Sequence, residues 1–302
     1  MVSTPSPPRS HRPLAEVTEL AGCTVGAPCW ASLATPDPRA AEDFYGAVLG
    51  WEFRRTSLGE DFRMALSAGV PTASLGCTTP ALQVALDWTP YFCVTDADEA
   101  AARIVERTGT IAVGPVRLPL GRGVLAADRE GNRFGIWEGQ LIADWESWRA
   151  HRPWRLELRT GHMFEAAIFY GEVLEWACAR HGCCEVRYEH GGVALRDVGN
   201  VAARIVPAGT ALSGERTSPR WNVYFPVPNA DAAAEAASRY GGGTIGRCVA
   251  GDHRTALLHD PHGAVFGVES PSGSVIISAA FGLRPGADSD RSPRAGRSGE
   301  AA

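Results

Sequence analysis

The 302-residue chain contains no lysine, so all 29 of its basic residues are arginine. That absence excludes a Schiff-base lysine, a lysine general base and the phosphate-binding lysine of a P-loop. No apolar run approaches the ~18–20 residues that cross a bilayer as a helix, so no membrane partner is expected. The opening "MVSTPSPPRSHRPLAEV" is rich in proline and serine and lacks the apolar segment of a signal peptide, which predicts a cytoplasmic protein. A net charge of −5 without a basic cluster offers no general attraction to nucleic acid. The eight cysteines form no C-x-x-C pair, and most are expected to be reduced core thiols. No G-x-S-x-G elbow, H-E-x-x-H or P-loop is present. "GGGTIG" (241–246) matches G-x-G-x-x-G by letter, but it follows a helical pattern instead of linking a strand to a helix. It reads as a helix stop.

What the chain does contain is a long internal repeat. "AAEDFYGAVLGWEF" (40–53) returns as "EAAIFYGEVLEWAC" (165–178). Asp37 is placed as a helix N-cap with Pro38 at the first helical position. Ala41, Phe44, Tyr45 and Val48 recur at helical spacing, and Gly50 stops the helix. Three strand-like runs follow, and "TPYFCVTDAD" then begins the same order again. The matches "ADEAAARIVERTG" with "ADAAAEAASRYGG" and "DREGNRFGI" with "DPHGAVFGV" establish the duplication independently. The pattern predicts an α+β fold of four βαβββ modules in two domains, spanning 25–139 and 153–271. A linker (140–152), an N-terminal extension (1–24) and a tail (272–302) complete the chain, the two ends being expected to lack order.

The "PD-x-x-x-A-x-x-FYG-x-V-L-G-W" helix and the "D-x-x-G-x-x-F-G" hairpin resemble the vicinal oxygen chelate (VOC) superfamily of glyoxalases, bleomycin resistance proteins and extradiol dioxygenases. The tandem layout is similar to its fused two-domain actinobacterial members. The resemblance implies curled mixed sheets around a concave pocket, and it makes the repeated helix scaffold. Gly46 and Gly171 are then expected to permit close helix approach, and Trp51 and Trp176 to enter the core. It also implies where metal-dependent members keep His, Gln or Glu. Here those positions hold Trp30 and Arg155 on the first strands, Thr89 and Asn222 on the second-module strands, and Gly135 and Gly267 on the last strands. Such residues do not ligate a divalent cation, so neither a metal nor another cofactor is expected. His253, His259 and His262 form one competing cluster, for which exposed hairpin histidines are the plainer reading. The adjacent cysteines of "RHGCCEVRYEH" point to opposite sides of a strand and do not chelate together.

Period-two alternation from those positions gives the expected lining. Domain one offers Trp30, Ser32, Tyr91 and Trp137 as a stacking surface. Domain two offers Arg155, Glu157, Asn222, Tyr224 and Glu269, with Tyr188, His190 and His259 as additions. Glu157, Arg155 and His259 are the candidate catalytic groups, the arginine binding an enol or phenolate oxygen while Glu157 or a histidine moves a proton. A structural Arg155–Glu157 ion pair is the competing reading. Three functions follow. The first is metal-independent proton-transfer chemistry (cyclisation, isomerisation or dehydration) on a planar oxygenated, polyketide-like aromatic in secondary metabolism. The second is sequestration of an antibiotic, and the third a metal-dependent glyoxalase or dioxygenase. The domains are expected to pack as a pseudo-dimer, in a monomer or a homodimer, with a small molecule as partner.

Overall fold

A computed structural model describes residues 24–56, 59–77, 86–142, 145–176, 184–209, 219–250 and 253–271. The end segments expected to lack order fall outside this set, apart from Thr24. The first module is β1 (Pro28–Thr35), α1 (Pro38–Leu49), β2 (Glu52–Thr56), β3 (Gly59–Ser67) and β4 (Val70–Cys77). The second is β5 (Trp88–Cys93), α2 (Ala97–Glu106), β6 (Thr110–Leu118), β7 (Gly121–Ala127) and β8 (Arg133–Gly139). A short helix, α3 (Trp145–Ala150), lies in the predicted linker. The third module is β9 (Arg155–Thr160), α4 (Met163–Val173), β10 (Glu185–Glu189), β11 (Gly192–Asp197) and β12 (Asn200–Pro207). The fourth is β13 (Arg220–Pro226), α5 (Ala230–Arg239), β14 (Gly243–Ala250), β15 (His253–His259) and β16 (Val265–Pro271).

Helix starts follow local chemistry. Asp37 accepts from the backbone N–H groups of Arg39 and Ala40, and Gly50 ends α1 in the left-handed region at φ 70°. Asp96 and Asn229 cap α2 and α5 in the same way. Gly46 behaves differently from expectation: a Cβ there meets only ordinary contacts, and one at Gly171 meets nothing within 4 Å. Neither glycine is required by close packing.

The two modules of each half share one eight-stranded sheet, ordered β2-β3-β4-β1-β5-β8-β7-β6 and β10-β11-β12-β9-β13-β16-β15-β14. Neither sheet is closed. Trp30 pairs with Tyr91 and Arg155 with Tyr224 across the antiparallel seam between modules. Module pairing is therefore within each half.

The helix-bearing faces of the sheets meet each other. Helix α1 packs on α5 and α2 on α4, and one hydrophobic core runs through both halves. The repeated aromatics build this junction: Trp51 meets Phe225 edge-on with centroids 4.8 Å apart, and Phe92 meets Trp221 at 5.5 Å. The tyrosine of each repeat crosses over. Tyr45 donates to Asp260 at 3.1 Å and accepts from the Trp88 indole at 3.0 Å. Tyr170 donates to Asp128 at 3.0 Å and accepts from Trp221 at 2.9 Å. Burial first, and the neighbouring aspartate second, raise both phenols well above their ordinary range. The repeat thus forms the interdomain scaffold, and the opposite face of each sheet points away from it.

Candidate functional site

On the face away from the junction, domain one holds a cavity of 350 Å³. Alternation along each strand aims Trp30, Ser32, Tyr91 and Trp137 there, and all four line it, as the sequence pattern anticipates. Ser74 from β4 and Leu141 from the predicted linker line it too, with Phe62, Val113, Val116 and Leu118 near the mouth. Those last four are between 37% and 43% exposed, an apolar rim open to solvent. No charged side chain occurs among the described lining residues. The Trp30 indole donates to Ser74 Oγ at 2.9 Å, and Ser74 Oγ lies 3.1 Å from Ser32 Oγ. Burial pushes the Tyr91 phenol up to about 12, with the nearby Cys29 adding to the shift.

The linker is part of this site. Trp148 of α3 stacks on Trp30, ring centroids 6.3 Å apart, and donates to the Pro71 carbonyl at 2.8 Å. Sequence reasoning missed these contributions, because alternation predicts a strand's own face and says nothing of what packs over it. The two tryptophans of "DWESW" were the available signal.

Domain two carries the same backbone and the opposite chemistry. Strand register aligns Trp30 with Arg155, Ser32 with Glu157, Ala34 with Arg159 and Ser74 with Arg204. Trp137 corresponds to Glu269 on the last strand. Arg155 donates from Nε to Glu269 at 2.6 Å and from a terminal nitrogen to Glu157 at 3.4 Å. Its guanidinium lies 4.1 Å from the centre of the Tyr224 ring. Arg159 reaches the other Glu157 oxygen at 2.7 Å, and the Tyr224 hydroxyl donates to it at 3.3 Å. Burial opposes the Arg155 charge, and Glu269 and Glu157 overcome it, so the guanidinium is held above its ordinary value. Burial likewise raises the Tyr224 phenol, with Glu157 adding to the effect. Arg155, Glu157, Tyr224 and Glu269 are thus brought together as a packed network. Asn222 sits opposite Glu157, 1% exposed, with a partner for neither amide atom.

Three residues predicted for this lining do not join it. Tyr188 points to the other face, where it is 65% exposed and stacks on Phe164 of α4 with centroids 5.9 Å apart. A one-residue shift along β10 inverts the face, which is why alternation misplaced it. His190 is exposed in the β10–β11 turn at φ 51°. His259 shares the face, but β13 and β16 separate its strand from β9, roughly 14 Å from Glu157 at the usual strand spacing. Its Nδ1 lies 3.0 Å from the Asp260 carbonyl.

The positions where metal-binding VOC proteins keep ligands do not fit a divalent cation. A Cβ at Gly135 comes within 2.3 Å of the Tyr91 ring, and one at Gly267 within 2.1 Å of the Tyr224 ring. The tyrosine rings occupy the space a last-strand carboxylate needs, and the Arg155 guanidinium stands at a first-strand position. Among the described residues no three His, Cys, Asp or Glu side chains are arranged to hold an ion, the hairpin histidines included. Gly267→Ala is expected to destabilise the protein by about 1–3 kcal/mol, the cost of overpacking, measured as a lowered unfolding midpoint. An unchanged midpoint shows that Tyr224 is free to move.

Four βαβββ modules in two open sheets, packed through their helix-bearing faces, define a tandem VOC-type protein. Residues 28–136 match the glyoxalase/bleomycin resistance protein/dioxygenase superfamily, and residues 155–269 match a glyoxalase-like domain. The chain belongs to the vicinal oxygen chelate superfamily. Anthracycline biosynthesis protein DnrV of Streptomyces peucetius is 28% identical over 264 residues, covering 80% of this chain and 92% of that protein. CFP32 of Mycobacterium tuberculosis, provisionally named a glyoxylase, is 27% identical over 264 residues, covering 82% and 95%. The Mn(II)-bound glyoxalase of Novosphingobium aromaticivorans shares the fold at TM-score 0.51 and 17% identity, with 82% of each chain covered. No helix among the described residues is long and apolar enough to cross a membrane.

Proposed function

We propose that this chain binds a planar, oxygenated, polyketide-like aromatic in the domain-one cavity, without a metal, in secondary metabolism. The observation that carries the reading is the apolar 350 Å³ cavity walled by Trp30 and Trp137. Its volume lies in the range of small-molecule sites, and its aromatic walls suit stacking on a flat ring. The Streptomyces relatives named for anthracycline biosynthesis support the ligand class.

The same cavity favours holding the ligand over transforming it. Cyclisation, isomerisation or dehydration needs a base of suitable pKa within reach of the bound ring. The described wall offers serine hydroxyls, Cys77 and the raised Tyr91 phenol, with no carboxylate or imidazole. Turnover is the second reading, and it needs the ligand at domain two instead, with proton transfer at Glu157, a buried carboxylate between two guanidinium groups.

Titration with an anthraquinone, followed by melting shift, tests the binding. The rim variant Val113→Asp with Val116→Asp is expected to weaken binding at least about tenfold, since each half-exposed valine gives up apolar contact worth roughly 1 kcal/mol. Its melting midpoint without ligand is expected to stay near wild type, as surface changes cost little. Wild-type protein that shows no shift with any planar aromatic sinks the proposal. Chromatography of the released ligand separates the readings: unchanged ligand means sequestration or carriage, and altered ligand means turnover.

A further inference from the structure

The polar groups of the domain-one cavity specify which edge of a ligand it accepts. An indole N–H only donates, so the Trp30 bond to Ser74 has a fixed direction. Ser74 Oγ accepts that hydrogen bond and donates its own to Ser32 Oγ, 3.1 Å away. Ser32 is the end of the chain: half-buried, lining the cavity, and with no acceptor for its own hydrogen among the described residues. Successive hydrogen bonds polarise one another, so the last hydroxyl is a stronger donor than an isolated serine. Trp137 also lines the cavity, but its Nε1 is buried without a partner and does not reach the cavity surface, which leaves Ser32 as the exposed end of the donor chain. With no charged side chain among the described lining residues, nothing there matches an ammonium or a carboxylate.

The geometry points to Ser32 as a specificity residue that selects neutral, flat ligands presenting a carbonyl or quinone oxygen, the oxygen accepting from its hydroxyl. The inference rests on the aromatic-binding reading above and names the functional group that reading leaves open. The symmetry-related positions in domain two, Glu157 and Arg204, make no such relay, so the selection belongs to domain one alone.

Three tricycles of nearly one shape separate the possibilities: 9-fluorenone carries an acceptor, fluorene a methylene and carbazole an N–H donor at the same position. Titration of the full chain by calorimetry is expected to show fluorenone binding at least about tenfold tighter than the other two, because a site that donates a hydrogen bond discriminates against analogues lacking the acceptor. Ser32→Ala is expected to bring fluorenone within about threefold of fluorene, and Ser32→Thr, which keeps the hydroxyl, to restore the preference. Equal binding of fluorenone and fluorene by wild type, or a preference for carbazole, overturns the inference while aromatic binding stands. Full preference retained in a folded Ser32→Ala overturns the role of Ser32. Failure of all three to bind removes both the inference and the reading beneath it.

Discussion

Glu157→Ala is expected to lower the unfolding free energy by about 3–5 kcal/mol, the usual cost of removing one partner from a buried charge network. Glu157 is 8% exposed and holds Arg155, Arg159 and the Tyr224 hydroxyl together. Its loss takes one counter-charge from each of the two guanidinium groups, with Glu269 still neutralising Arg155 in part. Replacing Arg155, Glu157, Arg159 and Glu269 together with leucine, and Tyr224 with phenylalanine, is expected to be near neutral, since a buried network's desolvation offsets most of its attraction. Urea unfolding of both variants checks the pair of outcomes. A loss below about 1 kcal/mol for Glu157→Ala means that water reaches the network, and the carboxylate is then accessible for the turnover reading.

Asp260→Ala is expected to cost about 3 kcal/mol or more, and to loosen the junction between the halves. The carboxylate is 1% exposed; it accepts from the Tyr45 hydroxyl and from the backbone N–H groups of His262 and Ala264. Each donor left buried without a partner costs about 1–3 kcal/mol. Tyr45→Phe removes only the hydroxyl and is expected to cost about 1–2 kcal/mol, the bond to Asp260 and the acceptor of Trp88 being lost. Unfolding curves together with limited proteolysis of both variants give the comparison. Stability loss without new cleavage between the halves shows that the effect is confined to the β15–β16 turn.

These two sites show different degrees of legibility. The hairpin "D-x-x-G-x-x-F-G" announces its own turn, because Asp260 and Asp128 bond to N–H groups two and four residues on. The partner of each aspartate lies more than 40 residues away, and for Tyr45 and Asp260 the separation is 215. No local pattern reaches that far. The cavity was legible where alternation along β1, β5 and β8 fixed the direction of Trp30, Tyr91 and Trp137. It was not legible on β10, where the same rule put Tyr188 on the wrong face, nor in the linker, whose Trp148 closes over Trp30. Cys93 is disulfide-bonded, while Cys29, Cys77, Cys184 and Cys248 are free thiols. Cysteine spacing does not distinguish the two.

By itself the sequence determined the module order, the helix caps and the absence of metal-ligand side chains at the aligned positions, because each is set by residues within a few positions of one another or by identity alone. The tertiary structure decided which module pairs with which, which faces meet, and which outward face carries the apolar cavity. That last outcome depends on volumes and charges contributed by several strands at once. Serines beside tryptophan line a cavity in domain one, while arginine and glutamate on the same backbone form a charged network at the equivalent positions of domain two.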